Sequence, residues 1–212
     1  MGLYFLVSIV GEAVGRPAAG MYGQFVVTTV FVFLMFALFA LPVGGRKIRL
    51  DRIGIGFSGF LRNAGWGLAA VAANIPVIVL LMVVASPVIR FLPEPTHPVQ
   101  SELASNPQGV TLFIIFVLAS LYAPLWEEVC FRGLLFQGLG RFFGSVAAGV
   151  VGSGFLFAAI HPQGMALWLA LGWIGVMGAL LTYQTRSLIP AIVMHAAHNS
   201  LVLSAGLVFS AS

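Results

Sequence analysis

The stretch "LYAPLWEEVCFRGLLF", residues 121–136, sets Glu127, Glu128 and Arg132 among apolar neighbours. A charge at the centre of a membrane helix costs roughly 2.5–3.5 kcal/mol on insertion scales, so such residues face a protein interior or a water-filled cavity and mark function. A structural ion pair or a snorkelling helix end is the plainer alternative. Helix geometry separates the two acids. Glu128 and Arg132 are four residues apart and share a face, whereas Glu127 points about 100° away. Glu128 therefore has a partner on its own helix, and Glu127 is expected to have none. An acid held out of water without a cation can exchange protons with water or a substrate, as a general base or acid must. The remaining acidic residues, Glu12, Asp51, Glu94 and Glu102, fall in loops or near the N-terminal end.

Three of the four histidines also lie in apolar segments: His161 in "FLFAAIHPQG", and His195 and His198 in "AIVMHAAHNS". Asn199 follows His195 by four residues, which puts both side chains on one helix face. A lone buried histidine is more often structural than catalytic; three of them near an acid favour function. Their depths support convergence. If the helix holding Glu127 runs on through "FRGLLFQGLG" and turns near Gly144, Glu127 stands as far before the turn as His161 stands after it. Equal rise per residue then brings the two to matching depth across a helical hairpin. His195 and Asn199, counted from Arg186 at the start of the last helix, reach that depth only if helices tilt or the Glu127 helix bends.

The elements that must hold these residues are transmembrane helices. Of 212 residues 60% are hydrophobic and 8% charged, against about 25% charged in soluble domains, and the mean hydropathy is +1.05. The expected fold is an all-α polytopic bundle. Six apolar runs, near 22–43, 65–92, 109–126, 145–160, 164–183 and 187–209, each approach the roughly 20 residues that span a bilayer. "LYFLVSIVGEAV" at the start is too short to span and holds Glu12, so a partial or re-entrant helix there would make six to seven spans. Half the basic residues sit in one loop, at Arg46, Lys47, Arg49, Arg52 and Arg62. That is a topology signal and no nucleic-acid footprint: it places residues 44–62 in the cytoplasm and 94–109 outside. The single cysteine, Cys130, excludes an intrachain disulfide and a multi-cysteine zinc site. The chain divides into N-terminal membrane helices with the basic loop, 1–108, and a C-terminal bundle, 109–212, that carries the intramembrane polar residues. Small residues recur in that bundle at Gly140/Gly144, Ala148/Gly152 and Gly154/Ala158, a spacing that lets helix backbones approach closely.

Three motifs in order resemble the CPBP family (CAAX protease and bacteriocin-processing, or Abi) of intramembrane proteases. Its EExxxR motif reads "EEVCFR" from Glu127 to Arg132, its FxxxH motif "FAAIH" from Phe157 to His161, and its HxxxN motif "HAAHN" from His195 to Asn199. The likeness covers about residues 110–202. The family fold has more helices than the six to seven expected here, which implies a shortened or variant N-terminus. The resemblance implies that Glu127 activates the water attacking a peptide carbonyl, with His161 assisting. It implies that His195 and Asn199 hold that water or stabilise the oxyanion, and that Glu128 and Arg132 brace the site. A base for the water and donors for the oxyanion are what such a reaction needs. The expected partners are the lipid bilayer and a membrane-associated protein or peptide, prenylated at its C-terminus or processed otherwise. The expected setting is a bacterial inner membrane.

Rival readings are weaker. Cys130 makes a poor nucleophile, because neighbouring carboxylates disfavour its thiolate. Ser120 and Ser153 have no spacing that implies a triad and are read as helix-packing hydroxyls. By family convention these enzymes are metalloproteases, and although there is no HExxH, Glu127, His161 and His195 have the donor types of a catalytic zinc site. Zinc would leave the site without a separate base, since Glu128 is committed to Arg132, so no cofactor is the favoured expectation. The polar cluster is also compatible with a proton- or ion-coupled transporter, but the paired repeats and broken helices common in transporters are not evident. A non-catalytic immunity or scaffold protein would have little use for the complete set of acid, histidines and asparagine.

Overall fold

The computed structural model describes residues 53–93, 109–161 and 163–210, together with Val30 and the pairs 42–43 and 46–47. Apart from Val30 and Pro42–Val43, the apolar run 22–43 lies outside the described residues, as do the stretch around Glu12, residues 44–45 and 48–52 of the basic loop and residues 94–108 of the other loop. Of the basic loop, Pro42–Val43 (β1) pairs antiparallel with Arg46–Lys47 (β2), Pro42 opposite Lys47. Everything else that positions the site is helical.

Helix α1 spans Phe60–Ile89, and its buried residues Asn63, Gly67, Ala70, Val71 and Asn74 recur at helical spacing. That single stripe packs on the bundle: Ala70 and Val71 share a core with Ile174, Leu181 and Met194. The rest of α1 turns apolar side chains such as Leu80, Val83 and Val84 outward, the arrangement a helix takes when its surroundings are as apolar as its core.

Helix α2, Gly109–Phe142, runs 34 residues. Two segments of it are π-helical, Leu118–Tyr122 and Val129–Leu135, and they bracket the α-helical turn and a half Ala123–Glu128. Each wide turn re-aims the side chains that follow it, and such insertions are frequent at functional sites. The chain reverses at Gly144, with φ of +61°, and Ser145 caps α3 by accepting from the Ala148 N–H at 3.3 Å.

Helix α3, Val146–Ala159, has 14 residues, about 21 Å of rise, shorter than the roughly 30 Å hydrocarbon core of a bilayer. It ends where it does because a residue before proline disfavours the helical conformation, and Pro162 follows His161. A 3-10 turn, Met165–Leu167, leads into α4, Trp168–Thr185. After a tight turn at Arg186 the last helix, α5, covers Ile189–Ser210. Among the described residues three helices are long and apolar enough to cross a membrane: Phe60–Ile89, Gly109–Phe142 and Met165–Thr185. The all-helical membrane bundle is as expected; the six to seven spans are not reached within the described residues.

Backbones touch where α3 crosses its neighbours. A Cβ on Gly149 would lie 2.7 Å from the Phe136 carbonyl oxygen, and one on Gly175 would lie 2.7 Å from the Gly154 Cα. Of the small-residue pairs, Gly154/Ala158 serves this packing, Ala158 being buried, while Gly144 is the turn residue.

Candidate active site

Five side chains from three segments meet inside the bundle. Glu127, Glu128 and Arg132 come from α2, His161 from the end of α3, and His195 from α5; all five are buried. The Glu128–Arg132 pair forms as its spacing requires: Arg132 Nη1 lies 2.9 Å from Glu128 Oε1, and both side chains are 0% exposed. The guanidinium is enclosed further. Its Nη2 donates to the Gly175 carbonyl at 3.2 Å, and its Cζ stands 4.5 Å above the centre of the Phe157 ring. A Cβ on Gly178 would come within 2.8 Å of Arg132 Nε, so α4 offers the arginine a bare backbone.

Glu128 also holds His195, whose Nδ1 is 2.9 Å from the same Oε1. With a proton on Nδ1 donated to that carboxylate, Nε2 is turned towards Glu127 Oε2, 3.9 Å away. His161 is oriented the same way by the main chain: its Nδ1 faces the Phe157 carbonyl, and its Nε2 lies 3.8 Å from Glu127 Oε2. The expectation that Glu127 stands without a partner is corrected here. It is flanked by two imidazoles, His161 brought by the hairpin at Gly144 and His195 by α5. The tautomers follow from the hydrogen-bond network.

Phe157 is the pivot of the cluster. Its ring is 4.3 Å from that of His161, 5.5 Å from that of His195 and 5.2 Å from that of Phe131. The four-residue spacing of the FxxxH motif stacks ring and histidine, a signal already present in the sequence. Gly175 and Gly178 could not be told from the other glycines of α4.

Asn199 lies one turn beyond His195, as expected, but its amide is engaged elsewhere: Nδ2 donates to the Ala119 carbonyl of α2 at 2.8 Å. Ser153 Oγ donates to the Val150 carbonyl at 3.3 Å, in keeping with a packing hydroxyl, and Cys130 is half-buried. The histidine of α5 that reaches both carboxylates is His195; His198, three residues on, is half-buried. His195→Ala is expected to lose all measurable activity while His198→Ala keeps at least about a third, because only the former removes a group placed for acid–base or oxyanion chemistry. Hydrolysis rates of the two purified variants decide this, and the reverse ranking would move the site to His198.

The zinc alternative fits the geometry poorly. Bonds of roughly 2.0–2.2 Å put tetrahedral ligand atoms about 3.3–3.6 Å apart, somewhat closer than the 3.8 and 3.9 Å from Glu127 Oε2 to the two histidine nitrogens. Among the described residues no group of three or more His, Cys, Asp or Glu is disposed to hold a metal ion.

Fold and site together define a helical membrane protein with a buried Glu–His cluster. Residues 109–201 match the family model described as Type II CAAX prenyl endopeptidase Rce1-like. The likeness of this part of the chain is to the same family that its three motifs resemble, and the part contains all six expected site residues. No curated protein and no solved structure is matched by the chain.

Proposed function

We propose that the protein is an intramembrane endopeptidase that hydrolyses a peptide bond of a membrane-associated, prenylated substrate with water activated by Glu127. The observation that carries this reading is the pair of spacings around Glu127 Oε2, 3.8 Å to His161 Nε2 and 3.9 Å to His195 Nε2. They exceed direct hydrogen bonds, and a polar gap of this width suits one bridging water. A water there donates one hydrogen to Glu127 and the other to the lone pair of His161 Nε2, leaving its own lone pair free to attack a carbonyl. Glu127 takes the proton as the O–C bond forms and returns it to the departing amide nitrogen as the C–N bond breaks. His195, carrying on Nε2 a second proton taken up from solvent water before the attack, donates that N–H to the oxyanion and keeps the proton, and Glu128 with Arg132 behind it holds the ring in that orientation. Removing such an oxyanion donor typically costs about 10²–10³ in rate. The family name supports the substrate class, a protein whose C-terminal CAAX box carries a prenylated cysteine.

Purified protein in detergent, given a fluorogenic peptide ending in a farnesylated Cys-aliphatic-aliphatic-X sequence, is expected to release the last three residues. It is expected to hold far less than one transition metal per chain and to keep its rate after exhaustive dialysis against a strong chelator. No cleavage of farnesylated or unmodified peptides would end the protease reading. Stoichiometric zinc, with activity lost on removal and restored on return, would recast Glu127, His161 and His195 as ligands.

A further inference from the structure

The π-helical turn at the start of the site raises a question of backbone accounting. At its end the Ala123 N–H donates to the Leu118 carbonyl, five residues back. In that register the Ala119 carbonyl should be served by residue 124, which is a proline and has no N–H. In the ordinary α-helical register it should be served by Ala123, whose N–H is committed to Leu118. Ala119 is thus left with a carbonyl that its own helix does not satisfy, and leaving such a polar group unpaired is unfavourable. The group that fills the place is the side-chain amide of Asn199, at 2.8 Å, reaching across from α5. Pro124 itself is buried.

We infer that Asn199 is a positioning residue, standing in for the N–H that Pro124 lacks and thereby fixing α5 in register with α2. The bond lies one turn from His195 on α5 and two turns from Glu127 on α2, so it sets how the imidazole meets the carboxylate. Asn199 then acts through His195 by this bond, which takes one of the two N–H groups of its amide. This assignment rests on the protease reading for its catalytic consequence alone; the bond between the helices is independent of it.

The test is a double-mutant cycle with Asn199→Leu and Pro124→Ala, because alanine at 124 supplies an N–H that can reach the Ala119 carbonyl without the asparagine. Thermal midpoints in detergent are read for all four proteins, and kcat and KM on the farnesylated peptide. With Pro124 present, Asn199→Leu should lower the midpoint by about 3–10 °C and kcat by at least tenfold, with KM within about threefold. With Pro124→Ala, the same change should cost less than a third as much in both. Equal kcat losses in both backgrounds with an unmoved midpoint would assign Asn199 to the oxyanion and overturn the inference. Should Pro124→Ala not fold, Asn199→Asp reads the same bond. Its midpoint deficit against wild type should shrink as pH falls, since only the protonated acid can donate to a carbonyl, and full stability at neutral pH would refute the inference. If wild type cleaves nothing, the midpoints still report the bond, so its failure and that of the protease reading are distinguishable.

Discussion

Glu127→Gln is expected to leave a folded, membrane-extractable protein whose hydrolysis of the farnesylated peptide falls by roughly 10²–10⁴-fold. The amide keeps the shape of the carboxylate and its place between His161 Nε2 and His195 Nε2, but it cannot take a proton from water. KM should move little, because the change removes a transition-state contribution and no part of the substrate-binding surface. The thermal midpoint should stay within a few degrees of wild type, since the Glu128–Arg132–Phe157 brace is untouched. Rates of wild-type and variant protein at saturating peptide decide the matter. A variant that cleaves at the wild-type rate removes Glu127 as the base.

Arg132→Met should act on the fold first. The substitution leaves the Glu128 carboxylate buried beside His195 without its guanidinium, and breaking a buried pair from one side costs about 3–5 kcal/mol. For a chain of this size that corresponds to a drop of roughly 6–20 °C in the thermal midpoint. Adding Glu128→Gln to Arg132→Met should recover much of the loss, because an amide is far easier to bury than an unpaired charge. Activity should not recover with it, since an amide oxygen accepts from the His195 Nδ1–H more weakly than the carboxylate does and holds the ring less firmly. Midpoints and rates measured on the two single variants and the double separate these effects. Additive midpoint losses would mean that the pair is not coupled.

The parts of this site that could be read from the residues were those that depend on spacing within one helix or on counting across one turn. Glu128 and Arg132 meet because four residues separate them, and Glu127 meets His161 because each stands equally far from Gly144. What escaped the sequence depends on backbone hydrogen bonding or on contacts between distant helices. Nothing in the side chains of 118–135 marks which carbonyl bonds five residues on, although Pro124 inside a helix was a visible irregularity. His195 reaches Glu128 from a distant helix, so an acid assigned to Arg132 alone serves two partners. Helix α3 looked like a span because "SVAAGVVGSGFLFAAI" is uniformly apolar, yet the His-Pro step ends it early. The bare strip at Gly175 and Gly178 becomes visible only once Arg132 is seen lying on it.

The touching backbones of α2, α3 and α4 have a consequence for how the molecule lives in bilayers of different thickness. Helices in direct main-chain contact at Gly149, Gly154 and Gly175 leave little room for relative displacement, so the site unit is expected to be stiff. Helix α1 is built differently. Beyond Asn74 none of its residues is buried, and this outer half contains Pro76 and Pro87. Among the described helices it is the one free to tilt or kink when hydrocarbon thickness changes, at a modest cost per ångström of mismatch. Elastic adaptation to the lipid is thereby confined to a part of the fold away from the chemistry, and the distances around Glu127 need not follow the membrane.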